Sequence, residues 1–415
     1  MLRNVKELAL AEKDYILDQR HYLHAHPELG REERNTTNYL AQELEQMGIA
    51  VETFPDITGC IGTLTGLKGP GKTLMLRADI DALPIAEDPA GKFYASQNPG
   101  VMHACGHDCH MAMLLGAAKI LSQHREDFSG TVKFLFQMAE EIGTESRHYV
   151  EKGCLEGVDA IFGMHIWALL EAGTVNLEDG PRMACSDRFT IRLTGKEAPL
   201  AAPEQGRDPI AAAAAVILAL QQLASRQNDP ENTFVLTVGM FNSTGEAGRT
   251  ARQVELVGTT RTFDKAFRKG LPAQIEKVAK GVGEGLGCQV DCTYFFGPAP
   301  LSNDHLELND LGRQAVTQVL GKAALVPMER QMGAEDFSVL MEKVPGVFLF
   351  WAPGRKRRAS AASITILALK WTRTYCLREP LLKSNLPWIT WAEMKCLLGA
   401  VKKWLANLFK FASRF

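Results

Sequence analysis

The sequence predicts an α/β protein with a mainly parallel sheet, interrupted by a smaller α+β domain with an antiparallel sheet. Segments of helical period alternate with short β-rich runs over roughly the first 180 residues, which is typical of parallel sheets. A different order, strand-helix-strand-strand-helix-strand, occupies residues 188–295. Helical periodicity then returns after residue 304, which favours an insertion within the first domain.

Each element follows from periodicity and from the turn residues beside it. In the first domain we expect helices at residues 5–22, at 32–47 and after Gly106, and strands at 73–76, 131–136 and 161–165. In the insertion we expect strands at 188–193, 233–238, 253–257 and 289–295, with helices 209–223 and 264–286 on one face. Helices at 304–320 and 334–343 follow. The predicted domains are residues 1–182 with 297–350, the insertion 183–296, and a tail 351–415.

The charge of the chain is unevenly distributed. The 415 residues are 46% hydrophobic and 23% charged with a net charge of −2, as in ordinary globular proteins. Residues 351–415 carry 13 Lys and Arg against 2 Asp and Glu, so this tail is +11 and the remainder −13. The tail also holds five of the six Trp and none of the ten His. The composition therefore changes near residue 351.

The cysteines and apolar segments indicate a cytoplasmic protein. Nine Cys without a tight repeating spacing suit a reducing compartment. The longest apolar run, residues 210–220, is 11 residues long, against the ~20 that a membrane-spanning helix needs. Residues 1–15 lack the apolar core of a signal peptide. We expect neither a nucleic-acid partner nor a membrane partner.

Potential metal ligands follow three predicted strands. Cys105 and His107 lie in a loop just before an apolar helix, and Glu140 and Glu141 follow the strand 131–136. His165 ends the strand 161–165. Thiolate, imidazole and carboxylate groups suit a cation such as Zn²⁺, and open α/β sheets form their sites at strand ends. Taken singly, each could instead be a packed core residue or a solvated helix start.

Six motifs follow one another along the first 350 residues. They are His26-Pro-Glu-Leu-Gly30, Arg77-Ala-Asp-Ile-Asp-Ala-Leu-Pro84, His103-Ala-Cys-Gly-His-Asp-Cys-His110, Gln137-Met-Ala-Glu-Glu141, His165 and Gly333-Ala-Glu-Asp-Phe-Ser338. In this order and spacing they resemble the M20 metallopeptidase family, and within it the amidohydrolase branch of hippurate hydrolases, N-acyl-amino-acid amidohydrolases and auxin-conjugate hydrolases. The resemblance covers residues 1 to about 350.

The resemblance implies a zinc-peptidase-like α/β catalytic domain interrupted by a lid and dimerisation domain, in a homodimer formed through the lid. It makes Cys105, His107, Glu141 and His165 the ligands of two divalent metal ions (Zn, Mn or Co), with Cys105 as the candidate bridge. Glu140 becomes the general base, and Asp81 a carboxylate that orients a ligand. His103 and His110 flank the ligands, and structural roles are favoured for both.

The chain departs from the branch in three places. Pro199 occupies the position of a lid His thought to stabilise the oxyanion, and Gly248 that of an Asn that helps to hold substrate. The His-His-Pro segment that supplies the last metal ligand is absent, because no His follows His305. This chain could therefore hold one metal ion instead of two.

Each of the three departures is a short or terminal stretch of sequence with a sharp boundary, and the residues beside it match the family pattern. This arrangement suggests compensated reading-frame shifts at about residues 197–200 and 244–250 and an uncompensated one after about residue 350. The alternative for the tail is a basic amphipathic helix at residues 388–411 that binds a membrane surface or a partner.

The expected function is hydrolysis of the amide of an N-acyl or N-aroyl amino acid, with turnover reduced by the missing groups. A non-catalytic metal-binding relic of the same fold remains an alternative. A further alternative is a dipeptidase or carboxypeptidase of the same family. Asp79 argues against it, since the peptidase branches usually carry a ligand His at this position.

Overall fold

The computed structural model of the chain describes residues 8–9 and 11–352. The predicted tail 351–415 therefore lies almost entirely outside the described residues, as does the start of the first predicted helix. The chain divides into two compact units. Unit 2 comprises Pro181–Leu301 and Arg330–Ser338, and unit 1 comprises the described residues before, between and after these segments.

The helices and strands have the following bounds. The helices are α1 (Lys13–Ala25), α2 (Arg34–Gln46), α3 (His107–Ser122), α4 (Ser146–Glu151), α5 (Pro209–Gln222), α6 (Lys265–Gly285), α7 (Leu306–Leu320) and α8 (Phe337–Met341). The first seven strands are β1 (Ala50–Thr53), β2 (Cys60–Thr65), β3 (Thr73–Asp79), β4 (Thr131–Gln137), β5 (Ala160–Ile166), β6 (Val175–Asn176) and β7 (Gly180–Met183). The others are β8 (Asp187–Thr194), β9 (Phe234–Ser243), β10 (Gln253–Thr262), β11 (Gln289–Phe295), β12 (Leu301–Asn303) and β13 (Gly346–Trp351).

Unit 1 is built on a seven-stranded sheet with the order β1-β2-β4-β3-β5-β13-β6. The four central strands, β4, β3, β5 and β13, run parallel, and the outer pairs are antiparallel. β3, β5 and β13 are almost wholly buried, as expected for parallel strands covered on both faces. Helix α3 is buried along nearly its whole length and packs against α1 and the central strands. Its N-terminus thereby lies at the carboxyl end of the sheet.

Unit 2 is an antiparallel sheet of order β11-β8-β10-β9 with the two helices α5 and α6. Burial alternates along β8 and β10, so one face of the sheet is covered. Side chains of α5, α6 and the four strands form one apolar core. Asp208 and Asp264 cap the two helices by accepting backbone N–H groups of their first turns.

The predicted fold class is confirmed: a mainly parallel sheet and a separate antiparallel sheet are both present. Several elements differ in extent. The helix predicted at residues 334–343 is only the five residues of α8. β1, β2 and β13 are additional strands. β13 reads Gly-Val-Phe-Leu-Phe-Trp, and a short, wholly apolar run has no period that separates a buried strand from a buried helix.

Helix α5 and the turn after it, together Pro209–Gln227, are long and apolar enough to cross a membrane by length and composition alone. A core helix passes the same test. Ala212, Val216 and Leu220 of this segment are fully buried in the core of unit 2. The observation is therefore weak support for a membrane span.

Candidate metal centre

The candidate centre lies in unit 1, at the carboxyl ends of three neighbouring parallel strands. β3 ends at Asp79, β4 at Gln137, and β5 carries His165 next to its last residue. Because the strands are parallel and adjacent, the segments that leave them start from the same edge of the sheet. The structure brings the predicted ligands together at this edge.

Cys105 and His107 reach this edge through a turn that only glycine accommodates. Gly106 precedes α3 with φ +90°, in the left-handed region. A Cβ atom on Gly106 would lie 2.1 Å from Cδ1 of Ile166. This close approach to the end of β5 places Cys105 beside His165, with 3.3 Å between Cys105 Sγ and His165 Nε2.

His107 is buried and oriented by Asp81. Its Nδ1 atom lies 2.9 Å from the backbone oxygen of Asp81 and 3.1 Å from Oδ1 of the same residue. Both partners are acceptors, so Nδ1 carries the proton. The other ring nitrogen, Nε2, is buried and has no hydrogen-bond partner among the described residues. Its surroundings include Oδ2 of Asp79 at 3.6 Å and Oε1 of Glu141 at 4.0 Å.

Glu140 and Glu141 lie in a tight turn after β4. Ala139 has φ +52°, which is unusual for a residue with a side chain. A single turn of 3₁₀-helix, Glu140–Ile142, follows and ends at Gly143 with φ +86°. The backbone N–H of Glu141 donates to Oδ2 of Asp81 at 2.9 Å. One carboxylate thus contacts both the His107 ring and the turn that carries the two glutamates.

His110 and Asp79 belong to a buried network beside the centre. The backbone N–H of Ile166 donates to His110 Nε2 at 3.0 Å, and His110 Nδ1 lies 2.6 Å from Asp79 Oδ1. Both ring nitrogens of His110 are therefore engaged by the protein. Arg77 donates from Nη1 to Asp79 Oδ2 at 2.8 Å and from Nε to the Gln137 side chain at 2.9 Å.

Charge is concentrated in this buried region. Burial alone would lower the pKa of His107, but the neighbouring Asp79 and Asp81 raise it to about 10. Burial raises the pKa of the Cys105 thiol well above its usual range, and Glu141 and Glu140 add to this effect. Burial lowers the pKa of His165 to about 3. Negative groups thus outnumber compensating cations at the edge of the sheet.

The residues present fit a transition-metal centre. The ligand atoms of Cys105, His107 and His165 lie within 4.8 Å of one another, and so do those of His107, Glu140 and Glu141. Sulfur, imidazole nitrogen and carboxylate oxygen are the donors that Zn²⁺ and similar ions prefer. The unpartnered Nε2 of His107, with Nδ1–H held by a carboxylate, has the arrangement of a metal-ligating imidazole.

Two of the three departures from the family pattern fall on described residues. Pro199 and Gly248 belong to unit 2, where their segments are neighbours: Pro199 forms a β-bridge with Arg249, and the Leu200 N–H donates to the Gly248 oxygen at 3.1 Å. The two altered blocks therefore contact each other. The segment expected to supply a final His ligand follows β13, outside the described residues.

Sequence reasoning missed some residues that build this region. Arg77 and Gln137 stand in the sequence only as parts of motifs, yet Arg77 donates to Asp79 and Gln137 accepts a hydrogen bond from Arg77. Glu33 was not singled out, although its carboxylate contacts the Ala139 turn. No local signal distinguishes Glu33, because the motif His26-Pro-Glu-Leu-Gly30 ends three residues before it.

Several known proteins are similar to the chain over most of its length. An N-acyl-L-amino acid amidohydrolase of Geobacillus stearothermophilus is 41% identical over 302 residues, which are 72% of this chain and 80% of that protein. An N-acetyl-L-cysteine deacetylase of Bacillus subtilis is 37% identical, over 84% of this chain and 82% of its own.

A crystal structure from Bacillus subtilis, described as a dinuclear metal binding peptidase from the M20 family, superposes with a TM-score of 0.75. It is 31% identical, with 97% of this chain and 99% of that chain covered. Residues 75–364 match the family described as Peptidase family M20/M25/M40. The chain therefore belongs to the peptidase family M20/M25/M40.

Proposed function

We propose that this chain is a metal-dependent amidohydrolase that cleaves the amide of N-acyl or N-aroyl amino acids, as hippurate hydrolases and aminoacylases do. The observation that carries the proposal is the Nε2 of His107, which has no hydrogen-bond partner in the part of the chain that the structure describes and is surrounded by Cys105, His165 and two carboxylates at one sheet edge. Relatives named as an N-acyl-L-amino acid amidohydrolase and an acetylcysteine deacetylase support the reaction class.

In this proposal Cys105, His107, Glu141 and His165 would hold the divalent metal, two ions as in the parent family or one if the missing final His is needed for the second. Asp81 keeps the His107 ring in the tautomer that leaves Nε2 available. Ions of this kind polarise the amide carbonyl and lower the pKa of water. Zn, Mn and Co are the candidate metals.

Glu140 is the proposed general base. It is 8% exposed and lies beside the predicted ligands, in the same 3₁₀ turn as Glu141. Adjacent residues in a tight turn project in different directions, so one carboxylate can bind metal while the other stays off it. Glu140 would take a proton from the attacking water and pass it to the leaving amine nitrogen.

We further propose that turnover is impaired. Pro199 cannot donate a hydrogen bond to an oxyanion, and losing one such donor typically costs about 10²–10³ in rate. No His after His305 is available as a final ligand. Sequencing the coding DNA across codons 190–255 and 345–415 tests the frameshift origin: alternative frames that encode no family motif contradict it.

Purified protein loaded with Zn²⁺, Mn²⁺ or Co²⁺ and assayed on hippurate and N-acetyl amino acids tests the function. We expect slow hydrolysis that chelation abolishes. Turnover near the ordinary enzyme value of about 10 per second would contradict the impairment. Cleavage of dipeptides in preference to N-acyl amino acids would contradict the substrate class.

A second candidate is a non-catalytic metal-binding protein, favoured by the lack of any His after His305. Metal stoichiometry separates the two. Two ions per chain with activity supports the hydrolase, whereas one ion or none without activity supports the relic.

We propose a homodimer formed through unit 2. Within the described residues β9 pairs only with β10, so one edge of this ten-residue strand is open. Val235, Met240 and Phe241 on β9 are exposed apolar side chains. Light scattering of the Met240→Lys variant against wild type tests this: a monomeric wild type contradicts the proposal.

A cytoplasmic location is also proposed. The seven cysteines within the described residues are all free thiols, which is typical of a reducing compartment. Fractionation of cells of the source organism, with detection by an antibody against the protein, is the test. Recovery outside the cytoplasmic fraction would contradict it.

A further inference from the structure

The turn that carries Glu140 and Glu141 is held by two buried carboxylates, one on either side of Glu140. Asp81 accepts the N–H of Glu141, as described above. Glu33 accepts the N–H of Ala139, with 2.8 Å between the nitrogen and Oε1. Ala139 has no exposed surface, so its N–H depends on an acceptor from the protein, and Glu33 supplies it.

Glu33 is itself fixed in place. Its second oxygen, Oε2, accepts the hydroxyl hydrogen of Thr58 at 2.6 Å, and the side chain is fully buried. The backbone of Thr58 is held in turn, because Tyr149 donates its hydroxyl hydrogen to the Thr58 oxygen at 2.9 Å. The same hydroxyl accepts the N–H of Met138 at 3.1 Å, one residue before Ala139.

Glu33 precedes α2 but does not cap it. The N-terminus of α2 is capped by Glu28, whose carboxylate accepts the N–H and hydroxyl groups of Thr36, both at 2.8 Å. Glu33 is therefore left to face inward. Gly30 completes the contact, since a Cβ there would lie 3.1 Å from the Cβ of Ala139. The segment 28–33 thus packs directly on the turn.

The backbone of Ala139 needs such support. With φ +52° it occupies the left-handed region, which is unfavourable for an L-residue and persists only where its surroundings hold it there. The hydrogen bond to Glu33 forms in the observed conformation of the turn. Without it, Ala139 is expected to relax toward negative φ, which would swing the following residues away from the His107 side of the site.

We propose that Glu33 is a positioning residue that holds the turn 139–141 in its left-handed conformation and so sets Glu140 and Glu141 toward the metal centre. The inference rests on the proposed function for the roles of those two glutamates. Glu33 acts only through the Ala139 backbone. Its removal is therefore felt first in metal binding.

The test is Co²⁺ affinity, measured by titration calorimetry and by the visible absorption of the bound ion. Glu33→Ala is expected to bind Co²⁺ about 10- to 100-fold more weakly, as is common when a group behind a ligand is lost. Glu33→Gln retains an oxygen for the Ala139 N–H and is expected to bind nearly as wild type. Glu33→Asp keeps the charge but is one methylene too short, and should resemble Glu33→Ala.

The sharpest test is a rescue. In the Glu33→Ala background, Ala139→Gly removes the penalty for positive φ and should recover part of the lost affinity. Glu28→Ala is the matched control, because it removes the α2 cap from the same segment without touching the turn. It should lower thermal stability and leave Co²⁺ affinity within about twofold of wild type.

The results separate this inference from the proposed function. Equal loss of Co²⁺ affinity in Glu33→Ala and Glu28→Ala would show a merely structural role and overturn the inference, as would unchanged affinity in Glu33→Ala. If Glu33→Ala does not fold, the comparison of Glu33→Asp with Glu33→Gln decides in the same way. A wild-type chain that binds Co²⁺ but hydrolyses no N-acyl amino acid contradicts only the proposed function, and one that binds no Co²⁺ contradicts both.

Discussion

The carboxylate of Asp81 joins His107 to the turn of Glu141: Oδ1 lies 3.1 Å from His107 Nδ1, and Oδ2 accepts the Glu141 N–H at 2.9 Å. Two predicted ligands from different segments are therefore oriented by one side chain. Each oxygen of the Asp81 carboxylate accepts one of these hydrogen bonds. The side chain therefore has to be an acceptor toward both His107 and Glu141.

Asp81→Asn should weaken metal binding by about 10- to 100-fold. An asparagine can present one oxygen, so its amide group would face either the His107 Nδ1–H or the Glu141 N–H, donor against donor. Calorimetric titration with Zn²⁺ is the measurement. Asp56→Asn, at an exposed ion pair with Lys152, is the control and should leave affinity unchanged. Equal affinity of both variants would contradict the orienting role.

Glu140→Gln and Glu141→Gln should separate two functions. Loss of a general base typically costs about 10²–10⁴ in rate, so Glu140→Gln should lose turnover while retaining its metal. Glu141→Gln removes a charged ligand and should lose metal first. Metal content and initial rate are measured on the same preparations. If the Glu140→Gln variant retains both its metal and its turnover, Glu140 is not the general base.

Arg77→Met should destabilise the fold strongly. Arg77 and Asp79 are both fully buried and joined at 2.8 Å, so removing the guanidinium takes one counter-charge from a buried carboxylate and leaves it with the His110 and His107 rings. Breaking such a pair typically costs about 3–5 kcal/mol. Urea unfolding gives the free energy. Lys152→Met, which breaks the exposed pair with Asp56, should change the free energy of unfolding far less, because solvent screens that pair.

Glu33 should make stability depend on pH near neutrality. Burial raises the pKa of Glu33 to about 7 in the folded protein, against an ordinary value of 4.5. Its contribution is therefore fully present below pH 4.5 and is lost as the pH rises through 7, with a slope of up to ~1.4 kcal/mol per pH unit. Glu33→Gln has no titrating group and should lack this decline. The two proteins are compared by urea unfolding from pH 4.5 to 8, with chelator present. Parallel curves would refute the assignment.

The sequence was most informative where pattern and chemistry coincide. Helix α3 was predicted from its apolar run and from Gly106, and β11 over residues 289–295 was placed at its observed bounds. The side chains of Cys105, His107 and His165 are all good metal ligands, and each lies in a loop or at a strand end that the sequence places at one edge of the sheet. The sequence therefore predicts that they form one site. Alternation of strands and helices predicted that edge.

Other features had no local signal. That Glu33 contacts Ala139 depends on a separation of 106 residues, and nothing in its neighbours distinguishes it from Glu32 or Glu28. The positive φ of Ala139 was equally hidden, since alanine gives no hint of a left-handed backbone. β13 is apolar throughout and offered no period to read. These features come from tertiary packing, which propensity does not encode.

The place of β13 between β5 and β6 has a consequence for synthesis of the chain. β5 is complete at residue 166, but its partner is made only 180 residues later, after the whole of unit 2. Until then one side of β5, an apolar strand, is an open edge of the kind that aggregates. β13 ends at Trp351, where the composition of the sequence changes. If the reading frame changes after this codon, β13, the last strand among the described residues, has already been synthesised. We therefore expect a premature stop before codon 346 to yield an insoluble chain, and one just after codon 352 to yield a soluble one.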